Sequence, residues 1–504
     1  MLLSELLEKI KERVSVRSIF ENDVDLTGIC PDSSRVKPGN LYIAIEGLHA
    51  DGHSFIGEAK KRGASAFAVS SKALAEGRVK EQTLPLLVAD DTGALSAHLF
   101  AAWHGDPQKQ MKIVGVTGTN GKTSVTTLIR EMLSRAEIPS GLIGTAGCLS
   151  PKGKIEIKPS NPNANMTTPD PEELYQILRV MADAGARVAV MEVTSHALAL
   201  RKTDPIDFEV AVFTNLTEDH LDLHQNMENY FAAKARLFEK CRLAVINYDD
   251  RYGRILADNI KIPRILCSME GRDTDCAAED VHLRADGGLE YKLTSRDLRL
   301  RVRSQLCGGF NVMNTMQAAV TAKALGASVN TIKDTLSHFS GIKGRLERLK
   351  IYGKYDFSVY IDYAHTPDAL ENLLRTARTF VKKDQRIVLL FGCGGDRERQ
   401  KRPVMGRIAV DMADFVIITS DNSRSERTAD IIEDILSGIV DRDGAAYTVI
   451  ESRKSAIEYA IKNARRGDVI LLAGKGHEEY EIDEKGKRPF SERDLVKEFV
   501  EKYY

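Results

Sequence analysis

The sequence GVTGTNGKTS, Gly115–Ser124, decides the fold of the middle of the chain. It follows a short apolar run and precedes a segment with helical periodicity, Val125–Leu133. Glycines between a strand and a helix let backbone amides approach phosphate oxygens, and a lysine followed by a hydroxyl residue completes the cradle. The usual pattern has a glycine five residues before the Gly-Lys pair, where this sequence has Val116. We therefore expect a phosphate loop of unusual glycine spacing, with Lys122 against the outer phosphates and Thr123 as a magnesium ligand.

The composition excludes several classes of function. Lys and Arg total 71 and Asp and Glu total 72, so no bulk basic charge is available to hold nucleic acid. The amphipathic N-terminal segment and the lack of a long apolar run argue against a leader and a membrane span. The seven cysteines are scattered and form no C-x-x-C pair, which is typical of a reduced compartment. We expect a cytoplasmic monomer that acts on small molecules, without nucleic acid and without membrane insertion.

The pattern of apolar runs predicts an α/β protein of three domains. With 504 residues the chain exceeds one ordinary core. Apolar runs bounded by glycines alternate with helical periodicity, which favours mostly parallel sheets. We place the domains at residues 1–110, 111–340 and 341–504. The predicted strands are Asn40–Ile45, Ala64–Val69, Val188–Met191, Val210–Phe213, Leu243–Ile246, Ile387–Phe391, Phe415–Thr419 and Val469–Ala473.

Polar residues that follow two of these strands extend the candidate site. Ligands collect outside the carboxyl ends of parallel strands, where Glu192 ends one run and His220 follows the next. A carboxylate there suits a metal ion beside a phosphate loop, although strand-end acids are often helix caps and lone histidines are often structural. Lys234 lies in an otherwise apolar helical stripe, and its spacing alone favours a snorkelling side chain with its head in water.

Taken in order, the motifs of the chain resemble those of the Mur ligase family, the ATP-dependent amide-forming enzymes of peptidoglycan precursor synthesis. The resemblance extends through nearly the whole chain. Its motifs are TGTNGKTS, MEVTSHAL, FTNLTEDHLDLH, ENYFAAKARLF, GGFNVMNTMQAA, GIKGRLERL, DYAHTPDAL, GCGGDRERQKRPVMG, TSDNSRSE and AGKGHEEY. It implies a small α/β UDP-binding domain, a central P-loop ATPase domain with a mostly parallel sheet, and a C-terminal Rossmann-like domain that binds the incoming amino acid.

The resemblance also implies the cofactors and the residues that hold them. In the family the lysine of Y-x-x-x-K is carbamylated with a CO2-derived group, which turns a cation into an anionic metal ligand, and Lys234 stands at that position. The implied Mg2+ ligands are Thr123, Glu192, His220 and carbamylated Lys234. The implied catalytic residues are Lys122, His220, Lys234 and Arg345. The implied ATP-binding residues are Gly118, Thr119, Asn120, Gly121, Lys122, Thr123, Ser124, then Asn311 and Asn314 for adenine and Asp362 for ribose.

The acid substrate that the resemblance implies is UDP-N-acetylmuramoyl-L-alanyl-D-glutamate. The residues expected to contact it are Ser33, Leu48, His49, Ala50, Thr167, Thr168, Thr194 and Lys202. Two of these are substitutions, a threonine where serine is common and Lys202 where arginine is common, although Arg201 is adjacent. Ser34 likewise stands where the family usually has arginine, with Arg35 next to it.

The motif Asp421–Arg424 indicates which amine is added. It matches the family's recognition element for meso-diaminopimelate, normally Asp-Asn-Pro-Arg, with Ser423 in place of proline. Diaminopimelate differs from lysine by a second carboxylate, which a guanidinium meets bidentately. The same residues also fit a polar turn that caps a helix over Thr428–Ile439, and both interpretations can hold at once. The implied diaminopimelate-binding residues are Arg397, Asp421, Asn422, Ser423, Arg424, Gly474 and Glu478.

Other functions stay open at this point. The same reaction with L-lysine stays open because Ser423 departs from the usual motif. The first segment and residues 421–424 argue against another Mur or folylpolyglutamate-type ligase. A P-loop switch or motor would hydrolyse nucleotide without needing an amino acid. A non-catalytic sugar-nucleotide-binding protein would have no need of Lys122, Glu192, His220 and Lys234, all of which are present.

Overall fold

The computed structural model describes residues 1–504 except 48–49, 80–84, 146, 158–166, 220, 272, 285–287, 340, 351–354, 383, 440–443 and 445. The described residues form three successive β-sheets, each packed against helices, and a separate hairpin. The prediction of an α/β protein in three domains with mostly parallel sheets is confirmed. The boundaries placed near residues 110 and 340 stay predictions. Within the described part of the chain, no helix combines the length and the apolar character needed to cross a bilayer.

The first domain contains a sheet of five described strands in the order β1-β5-β4-β3-β2. Strand β1 is antiparallel to β5, and the other pairs are parallel. The elements are α1 Leu3–Ile10, β1 Arg17–Ile19, β2 Gly28–Cys30, β3 Asn40–Ile43, α2 Ile56–Lys61, β4 Ala66–Ser70, α3 Ser71–Ala75, β5 Leu86–Ala89 and α4 Thr92–Trp103.

The central domain contains a sheet of eleven described strands in the order β16-β15-β14-β13-β12-β11-β6-β10-β7-β8-β9. The strands from β7 to β14 in this order are parallel, and antiparallel strands extend both edges. The elements are β6 Lys112–Thr117, α5 Lys122–Arg135, β7 Ser140–Gly144, β8 Gly147–Ser150, β9 Gly153–Lys154, α6 Pro171–Asp183, β10 Val188–Glu192, α7 Ser195–Ala199, β11 Phe208–Phe213, α8 Leu221–His224, α9 Met227–Ala235, β12 Cys241–Asn247, α10 Arg251–Asn259, β13 Arg264–Ser268, β14 Cys276–Leu283, β15 Leu289–Ser295, β16 Arg299–Ser304, α11 Phe310–Ala324 and α12 Val329–His338.

The register of strand β6 positions the candidate site. Glu192 of β10 lies opposite Val116, and Phe213 of β11 lies opposite Thr117. Because these three strands are parallel, the residues that follow them emerge at one edge of the sheet. Gly115 is needed one step earlier for packing, since a β-carbon there would lie 2.7 Å from the ring of Phe208. Val116 therefore continues the buried strand, and the phosphate loop begins after it.

The third domain is a parallel sheet covered by helices on both faces. The described strands lie in the order β17-β18-β22-β19-β20-β21, with β17 antiparallel to β18. Alternate residues of β19 enter opposite cores, as the period of two requires: Leu389 packs under α13–α15 and Leu390 under α16 and α17. The elements are β17 Glu347–Arg348, β18 Ser358–Asp362, α13 Pro367–Phe380, β19 Ile387–Phe391, α14 Lys401–Met412, β20 Phe415–Ile418, α15 Thr428–Leu436, β21 Tyr447–Val449, α16 Arg453–Lys462, β22 Val469–Ala473, β23 Tyr480–Asp483, β24 Gly486–Pro489 and α17 Glu492–Tyr503.

Candidate active site

The phosphate loop is a rigid turn between β6 and α5. Gly118 has φ 145° and Gly121 has φ 89°, both in the region that favours glycine. A β-carbon on Gly118 would overlap the Thr214 hydroxyl, and one on Gly121 would lie 2.6 Å from Asn314 Oδ1. Asn215 fastens the loop, because its Oδ1 accepts a hydrogen bond from the Asn120 amide at 2.9 Å. These two glycines therefore leave a backbone cradle that side chains at their positions would fill.

Two lysines converge on this loop, of which Lys234 is buried and Lys122 is half-buried. Lys122 Nζ donates to the carbonyls of Gly118 and Thr119, both at 2.9 Å. Lys234 Nζ donates to the same Gly118 carbonyl at 2.8 Å and lies 4.6 Å from the centre of the Tyr230 ring. Burial lowers the pKa of both ammonium groups, and for Lys234 the neighbouring charge of Lys122 lowers the pKa further. The interpretation of Lys234 as a snorkelling side chain is wrong, since its residue is 1% exposed and its head points inward.

Glu192 brings a carboxylate to the other side of the loop. Its Oε2 accepts a hydrogen bond from Thr123 Oγ1 at 3.1 Å, and its Oε1 accepts from the Thr145 amide at 2.9 Å. Glu192 is buried at the end of β10, so this pair of oxygen donors is held in place. His220, the histidine predicted as a metal ligand, lies outside the described residues.

A cavity of about 510 Å³ opens between the central and third domains, beside the phosphate loop. Asn311 and Asn314 line its central-domain wall and are joined by a 2.9 Å hydrogen bond from Asn314 Nδ2 to Asn311 Oδ1. Asp362 lines the opposite wall at the end of β18, where its carboxylate accepts from the amides of Leu346 and Ala364 at 2.6 and 2.7 Å. Burial raises the pKa of Asp362. The cavity therefore brings four of the residues predicted for phosphate, Asn120, Gly121, Thr123 and Ser124, together with those predicted for adenine and ribose.

Arg345 reaches the phosphate loop from the third domain. Its Nη2 donates to Thr123 Oγ1 at 3.3 Å, and its guanidinium carbon lies 4.9 Å from the centre of the Tyr363 ring. The sequence interpretation required domain closure for this approach. The two domains are already in contact in the structure, so Arg345 stands beside the loop.

Five of the residues predicted for the amino acid form a second, buried cluster at the ends of β20 and β22, namely Asp421, Asn422, Ser423, Gly474 and Glu478, whereas Arg424 is half-buried and Arg397 is exposed. Asn422 links its members, because its Nδ2 donates to Glu478 Oε2 at 2.8 Å and its Oδ1 accepts from Lys475 Nζ at 3.0 Å. Gly474 has φ 113°, and a β-carbon there would lie 2.5 Å from Asp421 Oδ2. Gly474 therefore lets the two strand ends approach each other.

The loop at Ser423 and Arg424 is held although serine replaces proline. Arg424 has φ 53°, and its amide donates to the carbonyl of Ile482 in strand β23 at 3.1 Å. Its Nη1 donates to the Gly395 carbonyl at 2.7 Å. Arg397 approaches the same strand end as Arg424, since both side chains lie within 4 Å of the β-carbon position of Gly394. The interpretation of these residues as a capping turn is wrong, because helix α15 has Arg427 at its N-cap and no side-chain capping bond.

Comparison with known proteins identifies the family. The Mur ligase middle domain matches residues 116–322, the Mur ligase glutamate ligase domain matches 344–476, and the Mur ligase catalytic domain matches 25–98. The UDP-N-acetylmuramoyl-L-alanyl-D-glutamate–2,6-diaminopimelate ligase of Clostridium tetani is 37% identical over 100% of both chains. The chain belongs to the Mur ligase family. The ligase of the same name from Syntrophomonas wolfei is 40% identical over 95% of both chains.

Solved structures of Mur ligases share the fold. The structure of a UDP-N-acetylmuramoyl-L-alanyl-D-glutamate–2,6-diaminopimelate ligase has a TM-score of 0.64 and 30% identity, with 95% of each chain covered. The structure of MurF from Acinetobacter baumannii has a TM-score of 0.61 at 17% identity, with 98% of each chain covered, and shows the fold alone.

In this Mur ligase, three of the residues predicted for the nucleotide-sugar substrate lie beside Glu192 and its neighbour Thr145. Thr168 Oγ1 donates to the Glu192 carbonyl at 3.0 Å and lies 3.2 Å from Thr194 Oγ1. Thr167 Oγ1 lies 3.2 Å from Thr145 Oγ1. These hydroxyl groups therefore border Glu192.

The remaining residues predicted for this substrate have other partners. Lys202 Nζ lies 2.6 Å from Asp170 Oδ1 with a side chain only 6% exposed, and Ser33 Oγ donates to Glu58 Oε2 at 2.8 Å. Ala50 follows Leu48 and His49, which lie outside the described residues. The two arginines adjacent to the substituted positions, Arg35 and Arg201, form ion pairs within the protein. Arg35 pairs with Glu172 at 2.6 Å, and Arg201 pairs with Asp204 at 2.6 Å.

Sequence reasoning missed two buried cations and one acid of the site. Lys475 lies 3.7 Å from both Asp421 Oδ1 and Glu478 Oε2. Arg453 donates to the carbonyls of Ser420 and Ala473 at 3.0 and 2.7 Å, directly before Asp421 and Gly474. Asp368 lines the nucleotide cavity from α13. The motifs AGKGHEEY and DYAHTPDAL contain Lys475 and Asp368, but only the fold shows what they contact.

Proposed function

We propose that this protein adds meso-diaminopimelate to UDP-N-acetylmuramoyl-L-alanyl-D-glutamate and converts ATP to ADP and phosphate, a step of peptidoglycan precursor synthesis. The observation that carries the proposal is the meeting of three elements at Thr123: the phosphate loop, Glu192 at 3.1 Å and Arg345 of the third domain at 3.3 Å. The names of the relatives from Clostridium tetani and Syntrophomonas wolfei support the choice of substrates.

The reaction must overcome the poor reactivity of a carboxylate. An amine cannot displace oxide from it, so the γ-phosphoryl group of ATP is first transferred to a carboxylate oxygen, giving an acyl phosphate and ADP. The amine then attacks the acyl carbon, and the tetrahedral oxyanion collapses to an amide with loss of phosphate and a proton. Lys122 and Arg345 would offset the negative charge that crowds together when one anion attacks another.

The donor set beside the loop suits Mg2+. Magnesium prefers oxygen ligands, and Thr123 and Glu192 present hydroxyl and carboxylate oxygens 3.1 Å apart. We propose that Thr123, Glu192, His220 and carbamylated Lys234 hold the metal. Bound Mg2+ would neutralise phosphate charge and orient the transferred group.

The surroundings of Lys234 support its carbamylation. Burial favours its neutral amine, and a neutral amine can add to the carbon of CO2 and release a proton to give a carbamate anion. The amine lies at the carbonyl of Gly118, so an anionic group formed there would face the phosphate loop.

The nucleotide cavity supports the proposed ATP site. We propose that Asn311 and Asn314 recognise adenine and that Asp362 binds the ribose. The proposed phosphate-binding residues are Gly118, Thr119, Asn120, Gly121, Lys122, Thr123 and Ser124.

The cluster in the third domain supports a substrate amino acid whose far end carries both an ammonium and a carboxylate group. Glu478 would face the distal ammonium and Arg424 the distal carboxylate, which lysine lacks. We propose that Arg397, Asp421, Asn422, Ser423, Arg424, Gly474 and Glu478 form this site.

For the nucleotide-sugar substrate, the proposed residues are Ser33, Leu48, His49, Ala50, Thr167, Thr168, Thr194 and Lys202. The monomeric state and the cytoplasmic location stay predictions.

The direct test supplies UDP-N-acetylmuramoyl-L-alanyl-D-glutamate, ATP and Mg2+ with either meso-diaminopimelate or L-lysine. The proposal expects ADP release that needs both substrates, and a product heavier by one diaminopimelate residue. ADP release without either substrate would indicate a switch or motor instead. A strong preference for lysine would overturn the assignment of Arg424.

A further inference from the structure

Asp368 of the third domain touches the phosphate loop of the central domain. It lies in the first turn of α13 and lines the nucleotide cavity. Its Oδ2 accepts a hydrogen bond from Asn120 Nδ2 at 2.8 Å and another from Thr217 Oγ1 at 3.0 Å. One carboxylate oxygen therefore joins three separate segments of the chain across the domain boundary.

Both hydrogen-bond partners of Asp368, Asn120 and Thr217, are joined to the phosphate loop by further hydrogen bonds. Thr217 is bound to Thr119 twice, since Thr119 Oγ1 donates to the Thr217 carbonyl and accepts from its amide, each at 3.1 Å. The Asn120 carbonyl accepts from Thr214 Oγ1 at 2.6 Å and from Asn215 Nδ2 at 3.1 Å. A contact with either partner is therefore coupled through hydrogen bonds to the phosphate loop.

We infer that Asp368 is a positioning residue that latches the third domain onto the phosphate loop and thereby brings Arg345 to Thr123. Hydrogen bonds between the domains lie on either side of Lys122, at Asn120 and at Thr123. Together with the packing of Cys307 into the core of the third domain, attachment at both positions restricts rotation of that domain more than the bond from Arg345 would alone. The inference rests on the proposed function, because the reaction needs the two domains to meet.

The hydrogen bonds of Asp368 leave the ammonium group of Lys122 available for phosphate. Both of these donors to Asp368 are neutral, the Asn120 amide and the Thr217 hydroxyl, so the contact does not use an ion pair between Asp368 and Lys122. Lys122 instead donates to backbone carbonyls. A hydrogen bond to a carboxylate is stronger than one between neutral groups, so two of them can hold the domains without an ion pair.

The simplest alternative is that Asp368 only stabilises its own helix. Acids in the first turn interact favourably with the helix dipole. However, Thr366 already caps α13, with its Oγ1 accepting from the Ala369 amide at 3.3 Å. A helix-stabilising role would change the stability of the third domain and would not depend on Thr217, which lies in the other domain.

The experiment compares Asp368→Ala, Thr217→Val and the double variant with a control, Glu371→Ala, which removes the same charge from the same helix at a position that pairs with Arg375. Domain closure is measured as the radius of gyration in small-angle X-ray scattering, with and without Mg2+ and a non-hydrolysable ATP analogue. Turnover is measured with all three substrates. Circular dichroism checks the fold, and Asp368→Asn, which retains an acceptor oxygen, replaces Asp368→Ala if that variant fails to fold.

The expected result is that wild type and Glu371→Ala contract with the analogue, whereas Asp368→Ala stays expanded. The kcat of Asp368→Ala should fall about 10- to 100-fold, as the loss of a charged hydrogen bond predicts, with an unchanged KM for the nucleotide-sugar substrate. Thr217→Val should add little to Asp368→Ala, since they remove one shared contact.

Full contraction and wild-type kcat in Asp368→Ala would overturn the latch, and so would independent, additive effects of the two variants. A wild-type protein that contracts as expected but makes no amide would defeat the proposed function and leave the latch standing.

Discussion

Replacing Arg453 by methionine should destabilise the third domain strongly and weaken binding of the amino acid. Arg453 is fully buried, and its Nε donates to Glu492 Oε1 at 2.8 Å. Its two other bonds hold the carbonyls of Ser420 and Ala473, one at the end of each strand that carries the amino-acid cluster. The variant removes all three contacts and leaves the Glu492 carboxylate buried and unpaired.

The magnitude follows from that unpaired charge. Removing one partner of a buried ion pair costs about 3–5 kcal/mol. Domains are stable by only about 5–15 kcal/mol, so Arg453→Met should remove a large part of the stability of the third domain. The double variant Arg453→Met/Glu492→Leu should recover much of the loss, because it leaves no charge without a partner.

The single tryptophan of the chain makes the assay selective. Trp103 lies at the end of α4 and packs against a core shared by the first and central domains, so its fluorescence in a urea titration reports on those two domains and not on the third. Hydrogen exchange of the β20 and β22 amides reports on the third domain. We expect faster exchange there and an unchanged fluorescence midpoint, with Lys462→Met on the exposed face of the same helix as the control. A stability loss below about 0.5 kcal/mol would refute the argument, since surface substitutions usually fall within that range.

Three further predictions concern the proposed catalytic and binding residues. Lys234→Ala should lower kcat severely because the carbamate oxygen ligand is lost, and short carboxylic acids should partly restore it; full activity without them would remove its metal role. Arg424→Ala should raise the KM for diaminopimelate about 10- to 100-fold, as expected for the loss of a charged hydrogen bond, while kcat changes little. An unchanged KM would rule out the contact between Arg424 and the distal carboxylate. Burial, and then the charge of Asp421, raise the pKa of Glu478 above its usual 4.5, so Glu478 takes up a proton earlier than an ordinary glutamate as pH falls. The KM for diaminopimelate should therefore rise with acidification above pH 4.5 and Glu478→Gln should abolish that dependence; the same pH profile in both proteins would contradict it.

The fold was predictable because its signals are local. The eight predicted strands all correspond to observed ones, since apolar runs bounded by glycines specify buried strands without reference to distant residues. The phosphate loop was predictable for the same reason. Its unusual spacing was not explained by sequence alone, because the need for Gly115 comes from the Phe208 ring of a neighbouring strand.

The contacts of the site were less predictable because they join residues far apart in the chain. Spacing predicted a solvated Lys234, whereas the fold turns the amine onto Gly118, 116 residues earlier. Asp368 and Arg453 carry no recognisable signal, since an acid in a first helical turn and an arginine after a serine are common. Their importance comes from partners in another domain or on another strand.

The central claim is that the substrate carboxylate is activated by transfer of a phosphoryl group. The most direct measurement uses UDP-N-acetylmuramoyl-L-alanyl-D-glutamate labelled with 18O in the glutamyl carboxylate that forms the amide, with ATP, Mg2+ and meso-diaminopimelate. The account predicts one 18O atom in each phosphate released, and no labelled phosphate when the amine is omitted and no turnover occurs. Unlabelled phosphate accompanying amide formation would contradict it, because the carboxylate oxygen would then not have become the leaving oxygen of an acyl phosphate.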